Sequence, residues 1–233
     1  MIDTRLLDAT PISDGWWLIR LNWNTDEPPA VGQWLWLTLA QRRVCLAIRD
    51  HHADEGWIAG ILPSADVDQA LHAGQAVRVS PIQGEALSIA ADNPLMIVGE
   101  DHGIAPALAL AERHQGAVRL VILGGQQGIP GRLVPSRFYI DALADCAIAG
   151  LSALESLGVA SRIALSDERP GVFTGSPGEL LGRYLAELTA SERAALSLVA
   201  ITPWGRLDTL QRGLAQDLAA LHWIQLPARG ERA

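Results

Sequence analysis

From residue 94 onward the sequence repeats one pattern that few folds can satisfy: a short, wholly apolar run, then a loop, then a stretch with helical spacing. Residues 94–99 (PLMIVG) are followed by a loop to Pro106 and a helical segment over 107–114. Residues 118–123 read as a second buried strand, 161–165 as a third and 196–201 as a fourth. Between and after them, 141–157, 177–188 and 207–220 carry alanines and leucines at helical spacing. A strand that is apolar on both faces has to be covered on both faces. Regular alternation of strand and helix therefore predicts a parallel, doubly wound sheet with helices on each side.

The residues before this point follow a different rule. Trp16, Trp17, Trp23, Trp34, Trp36 and Trp57 fall in the first quarter of the 233-residue chain, and only Trp204 and Trp223 come later. Short β-favouring runs at 15–21, 33–39, 44–48, 57–62 and 76–79 lie between turn signals at Gly32, residues 54–56, Pro63 and Gly74. That pattern predicts a small antiparallel β-barrel, with one short helix at 66–72. The junction falls at 91–93, giving an antiparallel barrel over 1–91 and an α/β domain over 92–233. Trp16 and Trp17, adjacent on one strand, must face opposite sides. This predicts tryptophans on the outer surface that serve a partner oxidoreductase subunit or a homodimer.

Composition removes several chemistries. Cys45 and Cys146 are the only cysteines and neither belongs to a C-x-x-C pair, so no structural zinc and no cysteine-ligated iron–sulfur cluster is expected. All 18 basic residues are arginines, so P-loop and Schiff-base lysine chemistry is absent. A net charge of −8 without an arginine cluster beyond Arg42-Arg43 speaks against a nucleic-acid partner. No apolar run approaches the roughly 20 residues of a membrane span, and residues 1–14 do not read as a secretory signal. The expectation is a soluble protein of the reducing cytoplasm.

Residues 94–106 (PLMIVGEDHGIAP) resemble the strand and glycine loop that open the nicotinamide domain of the ferredoxin–NADP reductase superfamily, where the pattern is P-L, two hydrophobics, three glycines, T/I, then G-I-A-P. Residues 71–84 (LHAGQAVRVSPIQG) resemble that family's segment closing the flavin barrel. Residues 166–168 and 175–180 stand where the family has its S/T-D-D/E and G-x-x-G-x-V elements. The resemblance runs nearly the whole chain in order, and its nearest member is the electron-transfer subunit of dihydroorotate dehydrogenase. It implies a flavin-binding-like barrel followed by an NAD(P)-binding-like domain, and electron transfer between NAD(P)H, FAD or FMN and an acceptor. By the same resemblance Arg43, Ser80 and Gly84 would bind flavin phosphate. Gly99, His102, Gly103, Ile104, Pro106, Thr202 and Trp204 would border the nicotinamide.

The cofactor motifs are eroded. The family's flavin strand reads R-x-Y/F-S/T; here Arg43-Val44-Cys45-Leu46 keeps the arginine and loses the aromatic and the hydroxyl. The family's cysteine near the nicotinamide is replaced in residues 201–205 (ITPWG), where the Trp204 indole would fill the slot. Two loop glycines are replaced by Glu100 and Asp101, whose carboxylates would oppose a diphosphate and would sit at the positive end of the following helix. The same glycines read more readily as a tight turn without ligand, and Arg43 reads equally as a surface charge. FAD or FMN binding is therefore expected to be weak and NAD(P)H binding doubtful, and no residue stands out as catalytic. A second reading follows, a cofactor-poor relative that acts as a binding or regulatory subunit. Cys45 reads as a buried small hydrophobe, residues 167–169 as a solvated loop, and His51-His52 as a hairpin tip and not a metal site.

Overall fold

The computed structural model describes residues 1–13, 15–24, 29–39, 42–67, 71–89, 93–203 and 217–227. The first part is one seven-stranded antiparallel sheet. Its strands are β1 (Ile2–Ser13), β2 (Trp16–Asn22), β3 (Trp34–Leu39), β4 (Arg42–Ala47), β5 (Asp50–His52), β6 (Trp57–Pro63) and β7 (Ala76–Val79), in the order β4-β3-β7-β1-β2-β6-β5. The sheet curls into a barrel because its ends meet. The Arg49 N–H, just past β4, donates to Ala59 O on β6 at 2.9 Å. At Gly60 a Cβ would stand 2.5 Å from Leu46 Cδ1 and 2.6 Å from Ala47 O, so only glycine lets β6 run this close to β4.

Period-2 alternation sorts the barrel's side chains into two cores. Ile19, Leu21, Leu35, Leu37, Val44 and Leu46 fill the interior. Their neighbours Trp34, Trp36, Cys45 and Ala47, with Trp16 and Ile61, point out of the barrel into a cluster shared with the second part. Trp16 and Trp17 do face opposite ways, Trp16 into this shared cluster and Trp17 against the barrel interior. The expected exposed tryptophans are not found. Every described tryptophan is buried or half-buried, and the exposed large hydrophobics are Met1, Ile2, Leu7, Ile12, Tyr139, Ile148 and Leu157.

The second part contains β8 (Leu95–Glu100), α1 (Ile104–Arg113), β9 (Val118–Gly125), β10 (Leu133–Pro135), β11 (Ala149–Leu151), α2 (Ser152–Ser156), β12 (Ser161–Leu165), β13 (Phe173–Thr174), α3 (Pro177–Glu187), α4 (Ala190–Ala194), β14 (Ser197–Pro203) and β15 (Ala220–Leu226). Six strands form a parallel sheet in the order β13-β12-β9-β8-β14-β15, while β10 and β11 form a separate antiparallel pair. On β8, Leu95 and Ile97 face α1 and the barrel, and Met96 and Val98 face α3. The sheet is thus covered on both faces, as its unbroken apolar strands require.

Three expectations are corrected. Residues 141–157 are not one helix: a 3-10 turn (Asp141–Leu143), β11 and α2 occupy them. Gly150 interrupts the alanine-rich run, and the Ser161 hydroxyl accepts the Leu151 N–H at 2.8 Å while β11 pairs with β10, so pairing overrides helical propensity. The short helix at 66–72 reduces to a 3-10 turn at Ser64–Asp66 followed by extended Val67, with 68–70 outside the described residues. Of the final helix at 207–220, residues 207–216 lie outside the described residues, and its last residue, Ala220, opens β15. Residues 91 and 92 of the expected boundary also lie outside them.

Candidate functional site

The strand order has a switch point. From β8 the chain moves outward through β9 and β12, then returns to β14 on the other side of β8. Neighbouring connections leave in opposite directions there, and a crevice forms at the carboxyl ends of the strands, the usual ligand position in open α/β sheets. The 3-10 turn Asp101–Gly103, between β8 and α1, stands at this point. It holds four of the expected site residues or their neighbours: Gly99 before it, His102 and Gly103 within it, and Ile104 after it.

The glycines serve close packing. A Cβ on Gly103 would collide with the carbonyl oxygen of Ile201 on β14, and one on Gly99 would stand 2.6 Å from Ala107 Cβ and 2.9 Å from Gly103 O. Asp101 has φ 51°, a left-handed conformation that aspartate tolerates better than bulkier residues. Its Oδ1 accepts the Gln126 N–H at 2.8 Å, in the loop after β9. The carboxylate therefore bridges the mouths of β8 and β9. It does not cap α1, whose N-cap is Gly103 with no side-chain cap bond. Glu100 is buried at 4% exposure at the end of β8. Ile104 and Pro106 are buried in the first turn of α1. Thr202, at the end of β14, accepts the Trp223 Nε1–H from β15 at 3.3 Å. Trp204 lies outside the described residues.

The barrel meets this turn directly, for β4 packs against Asp101–Gly103. Cys45 is 2% exposed among Trp34, Trp36 and Ala47. Burial, aided by the charge of Asp66, pushes its thiol far above the ordinary range, so it is a packing group and not a thiolate. Leu46, the hydroxyl position of the resemblance, points into the barrel interior. Trp34 and Trp36 meet edge to face at 5.4 Å. Ser80 holds Trp36 in place: its hydroxyl accepts the Trp36 N–H at 2.9 Å and donates to Pro81 O at 2.7 Å. Gly84 lies exposed beside the Trp34 ring. Arg43 is exposed on the outer part of β4, its guanidinium 5.6 Å from the Trp36 ring centroid.

The site residues thus form two groups across one interface. Arg43, Ser80 and Gly84 ring Trp34 and Trp36 on the barrel, and Gly99 to Pro106 with Thr202 line the switch point. Beside the turn a cavity of about 20 Å³ is lined by Trp16 and Pro63 of the barrel and by Asp101, His102, Gln126 and Gln127. Sequence reasoning missed the tie that holds the two halves. Arg49 Nη2, after β4, donates to Glu112 Oε1 at 2.7 Å and Oε2 at 2.8 Å on α1, and Nη1 pairs with Asp50. No local spacing joins residues 63 positions apart. Residues 167–169 are exposed, the solvated loop expected of them. Among the described residues no histidine, cysteine and acid cluster could hold a metal, and no helix is long and apolar enough to cross a membrane.

No known family's sequence pattern and no curated protein matches the chain. Solved structures do. The cytochrome P450 reductase GcoB of Amycolatopsis superposes with a TM-score of 0.66 at 16% identity, over 97% of this chain and 70% of that one. The FAD/NAD-binding domain of nitric oxide dioxygenase from Vibrio cholerae gives 0.63 at 14%, over 97% and 98%. Phthalate dioxygenase reductase gives 0.57 at 14%, over 100% and 70%. At these identities the likeness is one of architecture: the chain has the two-part fold of the ferredoxin reductase-like flavin- and nicotinamide-binding domains, an antiparallel barrel joined to a parallel nucleotide-binding-type sheet.

Proposed function

We propose that this chain is an electron-transfer module of the ferredoxin reductase type, passing electrons between NAD(P)H, a flavin and a protein or small acceptor. One observation carries the reading: the switch-point turn Asp101–Gly103 is held directly against β4, the barrel strand that carries Arg43. The fold thereby juxtaposes the two places where the resemblance puts nicotinamide and flavin. The solved relatives support the class, since one is a P450 reductase and another transfers electrons from pyridine nucleotides to [2Fe-2S]. The division into 1–91 and 92–233, a partner oxidoreductase and a cytoplasmic location belong to this proposal. The dihydroorotate dehydrogenase subunit as nearest relative rests on the sequence alone.

The residues fit a flavin in part. Exposed Arg43 suits a phosphate, as guanidinium geometry does. The ring has less support, because Cys45 offers no aromatic stacking, Leu46 offers no hydroxyl, and the Ser80 hydroxyl is already engaged with Trp36 and Pro81. On the nicotinamide side Asp101 already fills the mouth with negative charge. The role left to this chain's own residues is positional: Gly99 and Gly103 let the turn approach β14, and Thr202 with Trp223 fixes the edge of the crevice.

The deciding experiment is the visible spectrum of the purified protein, followed by titration of FAD and FMN into wild type and Arg43→Ala. Weak flavin uptake that depends on Arg43 supports the proposal. A colourless protein that takes up neither flavin overturns it in favour of a cofactor-poor binding or regulatory subunit. Calorimetry with NADH and NADPH tests the other half: micromolar binding by the wild type supports nicotinamide as the electron donor, whereas undetectable binding that is partly recovered in the Glu100→Gly, Asp101→Gly double variant removes NAD(P)H from the proposal.

A further inference from the structure

At the other end of the parallel sheet, away from the switch point, a buried arginine stands beside a cavity. Arg162 is the second residue of β12 and is 2% exposed, on the sheet face it shares with Ala160 and Ala164. A charge taken this far from water needs counter-charge and a full set of hydrogen-bond partners. Arg162 has neither. Its Nη1 donates to Ser161 O at 2.7 Å and its Nη2 to Phe138 O at 2.6 Å, but Nε is buried with no acceptor. Among the described residues no carboxylate forms an ion pair with it. Glu155, the acid whose charge it feels, is committed elsewhere: Oε1 accepts from the Ser136 hydroxyl at 2.7 Å and Oε2 from the Arg137 N–H at 3.1 Å.

The contact with Phe138 O puts the guanidinium at the wall of a cavity of about 170 Å³. Ser136, Arg137, Phe138, Ile140, Ala144 and Ile148 are among its other lining residues. The volume is far above the ~10–15 Å³ that one water needs. Arg137, Tyr139 and Ile148 are exposed at its rim, so it opens to solvent. The Arg137 guanidinium is fastened there by its bond to Glu155 O at 2.6 Å and its place over the Phe138 ring.

We propose that this cavity is a binding site for a small monocarboxylate with an apolar body. The carboxylate supplies the direct ion pair that Arg162 lacks, with Arg137 as a second donor at the rim, an arrangement guanidinium forks serve well. The lining itself carries Arg137 and Arg162 and no acid, and its largely apolar remainder suits a monoanion with a hydrocarbon body better than a phosphate dianion. Phe138, Ile140, Ala144 and Ile148 cover the apolar part. The site is independent of the flavin and nicotinamide reading, being at the amino end of β12 and away from the carboxyl ends that form the switch point.

The test uses the full chain, with sodium butyrate and inorganic phosphate as probes and sodium chloride at matched ionic strength as control, read by calorimetry and by thermal melting. Because Arg162 lies in the core, the variants are Arg137→Gln at the rim and Ala144→Leu, which fills the cavity and leaves both arginines in place. The expected result is saturable one-site butyrate binding with a rise in Tm. It should be about tenfold weaker in Arg137→Gln, the size of one partly exposed charge-assisted contact, and abolished in Ala144→Leu. Absence of saturable binding, equal binding by Ala144→Leu, or tighter binding of phosphate than of butyrate would each overturn the proposal.

Discussion

Replacing Gly103 by alanine tests whether the glycine of the switch-point turn serves packing or only ligand access. Its backbone is ordinary, with φ −71° and ψ −12°, so alanine adds no conformational strain of its own. The cost is steric: the new methyl would collide with Ile201 O and lie 2.7 Å from the Ile201 carbonyl carbon and 3.1 Å from its Cγ2. Neither side yields easily, since Ile104 and Ile201 are both fully buried at 0% exposure and the obstacle is strand backbone. Overpacking of this kind costs about 1–3 kcal/mol, and the rigid setting puts Gly103→Ala near 3. At about 2–4 °C per kcal/mol for a chain of this size, the melting temperature should fall by about 6–12 °C. Differential scanning calorimetry of the ligand-free protein measures it, with Gly116→Ala as control because a Cβ there meets nothing within 4 Å. A Gly103→Ala protein that melts with the wild type would show that the turn can retreat from β14, and the packing argument would fail.

The remaining predictions concern ties elsewhere. A double-mutant cycle on Arg49→Ala and Glu112→Ala, read by urea unfolding, should give a coupling of about 0.5–1 kcal/mol that shrinks at high salt; zero coupling would remove the pair as a tie between barrel and α1. The Ser176 N–H and hydroxyl hold the Glu179 carboxyl below its usual 4.5, so this contribution is present above that value and lost as pH falls through the folded one. The stability advantage of wild type over Glu179→Gln should therefore narrow between about pH 6 and pH 3; a constant difference would contradict the assignment. A thiol reagent should label no more than Cys146 in the native protein and both cysteines in denaturant, because Cys45 is buried with its thiol pushed up; labelling of both in the native state would refute this.

Much of the architecture could be read in advance, and the misses share a cause. β7 and β12 lie at the predicted residues, and β2, β3, β6, β8 and β14 within one or two, because each is a run whose side chains are dictated by burial. β1 was not legible. Its 12 residues include Pro11 and several polar side chains, only Leu6 is fully buried, and it exists because Ile2–Arg5 pairs with β7 and the rest with β2. β15 likewise is defined by its pairing with β14 and not by its own pattern. In the site, Gly99 and Gly103 were read as places where a dinucleotide could approach, and in the structure their missing Cβ makes room for Ala107 and for the Ile201 carbonyl. Asp101 was placed correctly in the turn but with the wrong partner, since the Gln126 N–H comes from the loop after β9, 25 residues away.

The sequence by itself determined that a barrel precedes a parallel, doubly wound sheet, because apolar periodicity is a local property that each strand and helix states for itself. It also shows where the chain departs from the pattern it resembles, since Val44, Cys45 and Leu46 are what they are in any fold. Only the tertiary structure decided what the tryptophans do. Whether Trp34 and Trp36 face solvent, a partner or the chain's own second half depends on how β4 meets the Asp101–Gly103 turn, and that contact joins residues more than fifty positions apart. It also decided that Arg162 is a core residue beside a cavity, for nothing local in its strand reveals that the segment carrying Phe138 folds over it.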